Sequence, residues 1–162
     1  MRLCRLVYKS IATAEVISNQ MLRELEQQAI VANAQRDITG LLVLTGNVFV
    51  QVLEGDARVL TALFATIVSD RRHRAVELLS VKSVGERLFE DWSMRAVDLY
   101  DLPGEKRALM AAKYEGKDGM ILVPDEEILL NTFLLDARFF CSSSPWQRDN
   151  DSENAVPSAE HR

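Results

Sequence analysis

The apolar positions change period twice in the first third of the chain. From Leu3 to Tyr8 they alternate, with Cys4, Leu6 and Tyr8 on one side and Arg5 and Val7 on the other, as in a half-buried strand whose Tyr8 looks inward. From about Ala14 to Asn33 the spacing becomes three and four. Leu22, Leu25, Ala29 and Ala32 or Asn33 then share one helical stripe, and Asn33 ends the helix on its sheet-facing side. Ile38 to Leu44 is a continuous apolar run, Thr45-Gly46-Asn47 is a turn signal, and Val48 to Glu54 is a second run, so a hairpin of two central strands is predicted. Asp56 is placed to cap a second amphipathic helix that carries Leu60, Leu63, Phe64, Ile67 and Val68 and stops near Asp70. Val76 to Val84 and Trp92 to Val97 predict two more strands, with Arg87 to Asp91 as a loop between them.

The order β-α-β-β-α-β plus one strand is the α+β, ferredoxin-like pattern, an antiparallel or mixed sheet with two helices on one face. The other face needs a cover. Pro103 to Tyr114 and Asp125 to Phe140 predict two C-terminal helices that supply it, the second with Glu126 and Glu127 in its first turn, where they suit the helix dipole. Ile128, Leu129, Leu130, Phe133, Leu134, Leu135, Phe139 and Phe140 are too many for one stripe, which predicts a partner subunit on the side turned away from the sheet. Residues 1–100 are thus expected to form the main domain and 101–141 a helical extension. Residues 142–162, opening with Ser142-Ser143-Ser144-Pro145 and poor in apolar side chains, are expected to be disordered.

Within this frame one position is out of keeping with its neighbours. Gln51 lies in Phe49-Val50-Gln51-Val52-Leu53-Glu54-Gly55, otherwise a buried strand. Leaving a side-chain amide unpaired there costs roughly 1–3 kcal/mol, so Gln51 requires a partner. Strand parity puts Tyr8 with Cys4 and Leu6, and Gln51 with Phe49 and Leu53; if both faces look at the helices, Tyr8, Gln51 and Asn33 converge between the sheet and the first helix. Leu25 and Ile67, one on each helix, are placed to wall such a site, which suits a flat ligand with hydrogen-bonding edges. Singly, each polar residue has an ordinary structural use: a buried Tyr bonds a backbone carbonyl and an Asn ends a helix. Their convergence is what points to a ligand.

Asp70-Arg71-Arg72-His73-Arg74 is the densest block of positive charge. Its commoner meaning is a solvated loop. As a functional rim, Arg72 and His73 could hold phosphates while Asp70 accepts from ribityl or ribose hydroxyls, so a nucleotide-bearing cofactor would use both pocket and rim without a glycine-rich phosphate loop. Trp92 and Met94, two residues apart, are expected on one strand face, as packing or as a relay from the pocket to the sheet surface.

Composition narrows the partners. A formal charge of −5 and a pI near 5.1 argue against broad nucleic-acid binding. Cys4 and Cys141 are too few for a disulfide framework, no closely spaced Cys/His set matches a metal site, and no apolar run reaches the length of a membrane span. A soluble, cytoplasmic protein is expected.

The chain resembles the BLUF domains, blue-light sensors that use flavin adenine dinucleotide, and specifically the short stand-alone members with two helices after the sheet. The resemblance covers about residues 1–100. It is carried by Leu6-Val7-Tyr8-Lys9-Ser10, Asn33 with Ile38-Thr39-Gly40-Leu41-Leu42, Phe49-Val50-Gln51-Val52-Leu53-Glu54-Gly55, Asp70-Arg71-Arg72-His73 and Phe89-Glu90-Asp91-Trp92-Ser93-Met94. It implies FAD as cofactor, Tyr8 as electron and proton donor, and Gln51 as the bridge between Tyr8 and the flavin N5/O4 edge. It further implies that Asn33 holds the C4 carbonyl and N3 edge, that Leu25 and Ile67 sandwich the ring, and that Asp70, Arg72 and His73 lie near the ribityl and phosphates. Electron transfer from Tyr8, with a proton following through Gln51, would leave Gln51 rotated or tautomerised and bonded to the flavin O4, shifting absorption to the red. The sequence departs from the family at Ala32 and Ala29, where a polar residue and a hydroxyl are frequent. The implied output is contact with a separate effector, of which cyclic-dinucleotide phosphodiesterases and transcriptional regulators are family examples, and not catalysis by the chain itself. The competing readings are a small acylphosphatase-like hydrolase and a metabolite-binding regulatory module.

Overall fold

The computed structural model describes residues 1–13 and 18–141. The expected beginning of the first helix at Ala14 and the tail 142–162 lie outside them. The elements are β1 (Leu3–Ala12), α1 (Asn19–Ala34), β2 (Thr39–Thr45), β3 (Val48–Asp56), α2 (Ala57–Val68), β4 (His73–Ser83), β5 (Arg95–Asp98), α3 (Gly104–Tyr114) and α4 (Glu127–Phe140), with one 3-10 turn at Leu99–Asp101. The five strands form one sheet in the order β4-β1-β3-β2-β5. Every pairing is antiparallel except the parallel β2–β5 edge, so the sheet is mixed.

Local chemistry sets the boundaries. The Ser18 hydroxyl accepts from the Met21 amide and the Asp56 carboxylate from the Arg58 amide, each satisfying an orphan donor at the start of a helix. Gly46, with φ +60, makes the two-residue turn between β2 and β3. Gly40 is required for a different reason: a Cβ there would stand 2.3 Å from the Val52 carbonyl oxygen, so only glycine lets β2 lie this close to β3.

Each sheet face carries its own apolar core. On one, Cys4, Leu6, Tyr8, Leu42, Leu44, Phe49, Leu53 and Ala96 pack with α1 and α2 through Leu22 and Leu60. On the other, Val7, Leu41, Val43, Val50, Val52 and Val97 pack with Met110 and Tyr114 of α3 and Leu130, Phe133, Leu134 and Ala137 of α4. The C-terminal helices thus cover the second face as the sequence predicts. Each fully buried Leu or Phe is worth roughly 1.5–3 kcal/mol, which favours a single arrangement of both layers.

Three expectations need correction. β4 begins at His73, not Val76, so part of the basic block is strand; Ala75, at φ +52, sits where the β1–β4 register shifts, and this irregularity hides the strand's start. The last strand is Arg95–Asp98 and not Trp92–Val97. Trp92 and Met94 therefore precede it in irregular backbone, where two-residue alternation does not apply, and they pack on opposite sides of the sheet. No described helix is long and apolar enough to cross a membrane.

Candidate functional site

Between α1, α2 and the sheet lies a cavity of about 240 Å3. Its floor is Tyr8 from β1, Leu42 from β2 and Phe49, Gln51 and Leu53 from β3; its walls include Leu25 and Ala29 from α1 and Leu63 and Ile67 from α2. Tyr8 and Gln51 are directly opposed in the β1–β3 ladder. Their side chains rise together, and the Tyr8 hydroxyl donates to Gln51 Oε1 at 2.5 Å. The other end of the amide is poorly served: Gln51 Nε2 donates to Met94 Sδ at 3.6 Å, and a thioether is a weak acceptor. Both residues are buried, so the amide N–H faces the cavity in need of a better acceptor. Burial, with the Asp70 charge as a smaller cause, holds the Tyr8 phenol well above the ordinary tyrosine range, so it stays protonated at any physiological pH.

Asn33 lines the cavity from the end of α1, and its Nδ2 donates to the Ser93 carbonyl at 2.9 Å. It ties the helix to the segment carrying Met94. Gly40 of β2 holds the same segment, its amide donating to the Trp92 carbonyl at 3.0 Å. Met94 enters the cavity. Trp92 does not; its ring lies on the α3/α4 side with the Arg95 guanidinium 5.2 Å and the Arg138 guanidinium 5.8 Å from its centroid. Arg138, in the last turn of α4, also bonds the Asp91 carboxylate at 3.2 Å, so the Met94 segment touches the cavity on one side and α4 on the other.

The rim is more committed than its charge suggests. Arg72 Nε lies 3.0 Å from both Asp70 oxygens, its Nη2 lies 2.5 Å from Oδ2, and its Nη1 reaches Gln28 Oε1 at 3.2 Å. The Arg72 hydrogen bond is the main cause of an Asp70 pKa below the usual carboxylate range. His73 lines the cavity, but Nδ1 lies 2.8 Å from Ser10 Oγ and Nε2 2.6 Å from the Ile67 carbonyl, so both ring nitrogens are engaged. Arg72, half-exposed, remains the rim cation best placed to meet an anion.

An apolar slot with a hydroxyl–amide pair on its floor fits a planar ring with hydrogen-bonding edges, and the under-served Gln51 amide is the feature that asks for one. Comparison with known proteins names the ring. Residues 3–95 match the family model described as BLUF, sensors of blue-light using FAD. The chain belongs to the BLUF family. It is a blue-light-sensing flavoprotein.

Among solved BLUF structures, the BlsA photo-activated state superposes with a TM-score of 0.70 at 26% identity, covering 88% of this chain and 96% of that one. The Klebsiella pneumoniae BlrP1 manganese/cy-diGMP complex gives 0.62 at 31% identity, over 91% of this chain and 36% of that one. Photoactivated adenylate cyclase subunit beta of Euglena gracilis is 34% identical over 92 residues, 56% of this chain and 11% of that protein. The Escherichia coli blue light- and temperature-regulated antirepressor BluF is 28% identical over 141 residues, 82% of this chain and 33% of that protein. The chain thus spans about a tenth of the length of the cyclase subunit and a third of the antirepressor.

Eight sequence-derived candidates line the cavity together: Tyr8, Leu25, Asn33, Gln51, Ile67, Asp70, Arg72 and His73. Of the two relay candidates, Met94 is there and Trp92 is across the sheet. Sequence reasoning missed Gln28 and Thr66, polar residues on the helix walls, and the buried polar groups Ser10, Glu26 and Glu54 outside the cavity. Glu26 accepts from the Ala96 amide at 2.8 Å and lies four residues from Leu22 on the stripe already traced. Glu54, an ionisable group in the same apolar strand as Gln51, carried the same signal as the amide.

Proposed function

We propose that Tyr8 and Gln51 are the photoactive pair, that the flavin is FAD, and that the chain performs no turnover but signals through contact with a separate effector protein. The carrying observation is the asymmetry of the Gln51 amide. Its oxygen receives the Tyr8 hydroxyl at 2.5 Å, while its nitrogen faces only a sulfur at 3.6 Å beside the cavity.

A flavin held in this cavity would supply blue-light absorption and an excited state able to take an electron. Tyr8 is the donor facing the cavity, and electron loss makes its phenol strongly acidic. The proton has one short path, to Gln51. Return of the electron draws the proton back to Tyr8. The amide can settle rotated or tautomerised, because turning it exchanges donor for acceptor at both ends. After rotation its N–H faces Tyr8 and its oxygen faces the position now held by Met94. Such a two-position group is the bistable element a switch requires.

Leu25 and Ile67 hold the ring faces, Asn33 its polar edge, and Arg72 with Asp70 the ribityl and phosphate end beside the His73 ring, which favours the dinucleotide. Rotation of Gln51 changes its contact with Met94; Asn33 and Gly40 limit the movement of that segment, and Arg138 carries it to α4. The sensory unit is residues 1–100 and the output unit 101–141. The relatives named as a cyclase, an antirepressor and a cyclic-diGMP complex support coupling to an effector.

One absorption spectrum before and after blue light tests this reading. The purified protein should be yellow with a reversible red shift. Gln51→Leu and Tyr8→Phe should each retain flavin and lose the shift. A normal shift in either variant removes the pair from the mechanism, and hydrolysis of the released cofactor to its nucleotide constituents identifies FAD or FMN.

A further inference from the structure

β4 is the outer strand of the sheet; β1 is bonded to one edge, and the other edge is open among the described residues. Long open edges are templates for pairing with another chain, and proteins usually blunt them with charge, proline, bulges or a cover; β4 carries charges and two register shifts and still leaves its edge uncovered among the described residues. This one spans 11 residues and exposes two aliphatic side chains, Leu78 and Val81, at 48% and 54%.

The register shows how these residues are disposed. Leu78 lies opposite Tyr8 and Val81 opposite Leu6, so both stand on the α1/α2 face. Glu77 lies opposite Lys9 and Lys82 opposite Arg5, so both stand on the other face. A register shift between Val7 and Tyr8 leaves Leu79 as an extra residue, which is why positions three apart share a face. Glu77 and Lys82 are half-exposed or more even though each has a partner in its own chain, Lys9 and Glu127 respectively.

Laid antiparallel on itself about a two-fold axis between Leu79 and Ser80, this strand is self-complementary. Leu78 meets Val81 of the second copy and Glu77 meets its Lys82, and symmetry repeats both contacts. On one face apolar meets apolar; on the other, opposite charges meet. The register centred between Leu78 and Leu79 sets Val76 against Val81 but Glu77 against Ser80, and so forms no opposite-charge pair. Moving the axis onto Ser80 sets Leu78 against Lys82, moving it onto Leu79 sets Glu77 against Val81, and moving it onto Leu78 sets Arg74 against Lys82.

We propose that the open edge of β4 is a docking site for a second copy of this chain, joining the two five-stranded sheets edge to edge in a two-fold dimer. The contact is distinct from the flavin cavity and independent of the photoactive pair. Main-chain bonds on either side of the bulge supply affinity, and the Glu77–Lys82 and Leu78–Val81 pairs supply register.

The test is sedimentation equilibrium of the full-length protein in the dark over a range of concentrations. The wild type should show a monomer–dimer equilibrium. Glu77→Lys alone and Lys82→Glu alone each set like charges opposite one another twice, and each should weaken dimerisation roughly tenfold or more. An equimolar mixture of the two variants restores both opposite-charge pairs and should regain the wild-type dimer. Neither residue lines the cavity, so unchanged far-ultraviolet circular dichroism and flavin absorption control for folding. A wild type that stays monomeric at its highest attainable concentration overturns the proposal, as does a mixture that associates no better than its components. A dimer indifferent to both charge reversals but lost on Phe139→Glu assigns the contact to α4 and overturns it equally.

Discussion

Gln51 and Glu54 lie three residues apart on β3, both buried, on opposite faces of the sheet, and they are provided for in opposite ways. The Glu54 carboxylate receives the Arg5 Nε at 2.6 Å, the Leu88 amide at 3.0 Å to both oxygens and the Phe89 amide at 3.0 Å. Its own carbonyl takes Arg87 Nη1 at 3.0 Å. Gln51 has one strong bond and one weak one. A buried polar group with a full set of partners is an anchor, because every alternative position leaves something unpaired. One with an incomplete set is where a ligand can complete the structure, or where two arrangements are close in energy. On β3 the anchored face holds the loop that leads to Trp92 and Met94, and the incomplete face holds the proposed switch.

The comparison breaks most directly at Glu54. Glu54→Ala leaves the Arg5 charge and two amides without their acceptor at a fully buried site. It should cost about 3–5 kcal/mol, read as a lower midpoint in urea unfolding. A loss below about 1 kcal/mol would mean that Glu54 is no anchor.

Gln51→Leu should cost less in the flavin-free protein, about 1–3 kcal/mol, because what it strands is the single hydroxyl of Tyr8. Adding Tyr8→Phe should then restore most of that loss. A double-mutant cycle on denaturation midpoints reads the coupling, and simple additivity would show that the 2.5 Å bond contributes nothing to stability.

Met94→Leu removes the thioether but conserves volume, so stability should change by less than about 1.5 kcal/mol. The rate at which the light-shifted spectrum relaxes in the dark should change, since in the proposed switch Met94 is what the rotated amide would meet. An unaltered rate would place the restraint on Gln51 elsewhere.

The smallest effect belongs to the rim. Arg72 holds the Asp70 carboxyl below its ordinary value, so the pair's contribution is fully present above the unfolded value of 3.8 and is lost as pH falls through the lower folded value. Exposure keeps this below about 1 kcal/mol. Asp70→Asn should lower stability by that amount above the unfolded value and leave it unchanged once pH has fallen below the folded one, removing that part of the pH dependence; an equal loss at both ends would mean that the pair is packing and not charge.

Much of the sheet was legible because β1, β2 and β3 carry uninterrupted apolar or alternating patterns, and because Asp56 and Gly46 punctuate them with specific backbone chemistry. The convergence of Tyr8 with Gln51 was legible from parity alone. The basic block was not readable as strand, since an exposed edge imposes no burial pattern and a bulge breaks the alternation. Trp92 and Met94 were assigned one face by a rule that holds only in regular backbone.

What the sequence determined by itself is the set of local preferences: where periodicity makes strands and helices, which turns need glycine, and that an amide and a carboxylate lie in one apolar strand. Only the tertiary structure decided which of the two is satisfied. The partners of Glu54 come from residues 5, 88 and 89, and those of Gln51 from residues 8 and 94, and contacts so distant along the chain exist only once the sheet has closed. The same closure turned β4 outward and left its edge open, which no local pattern along His73–Ser83 could express.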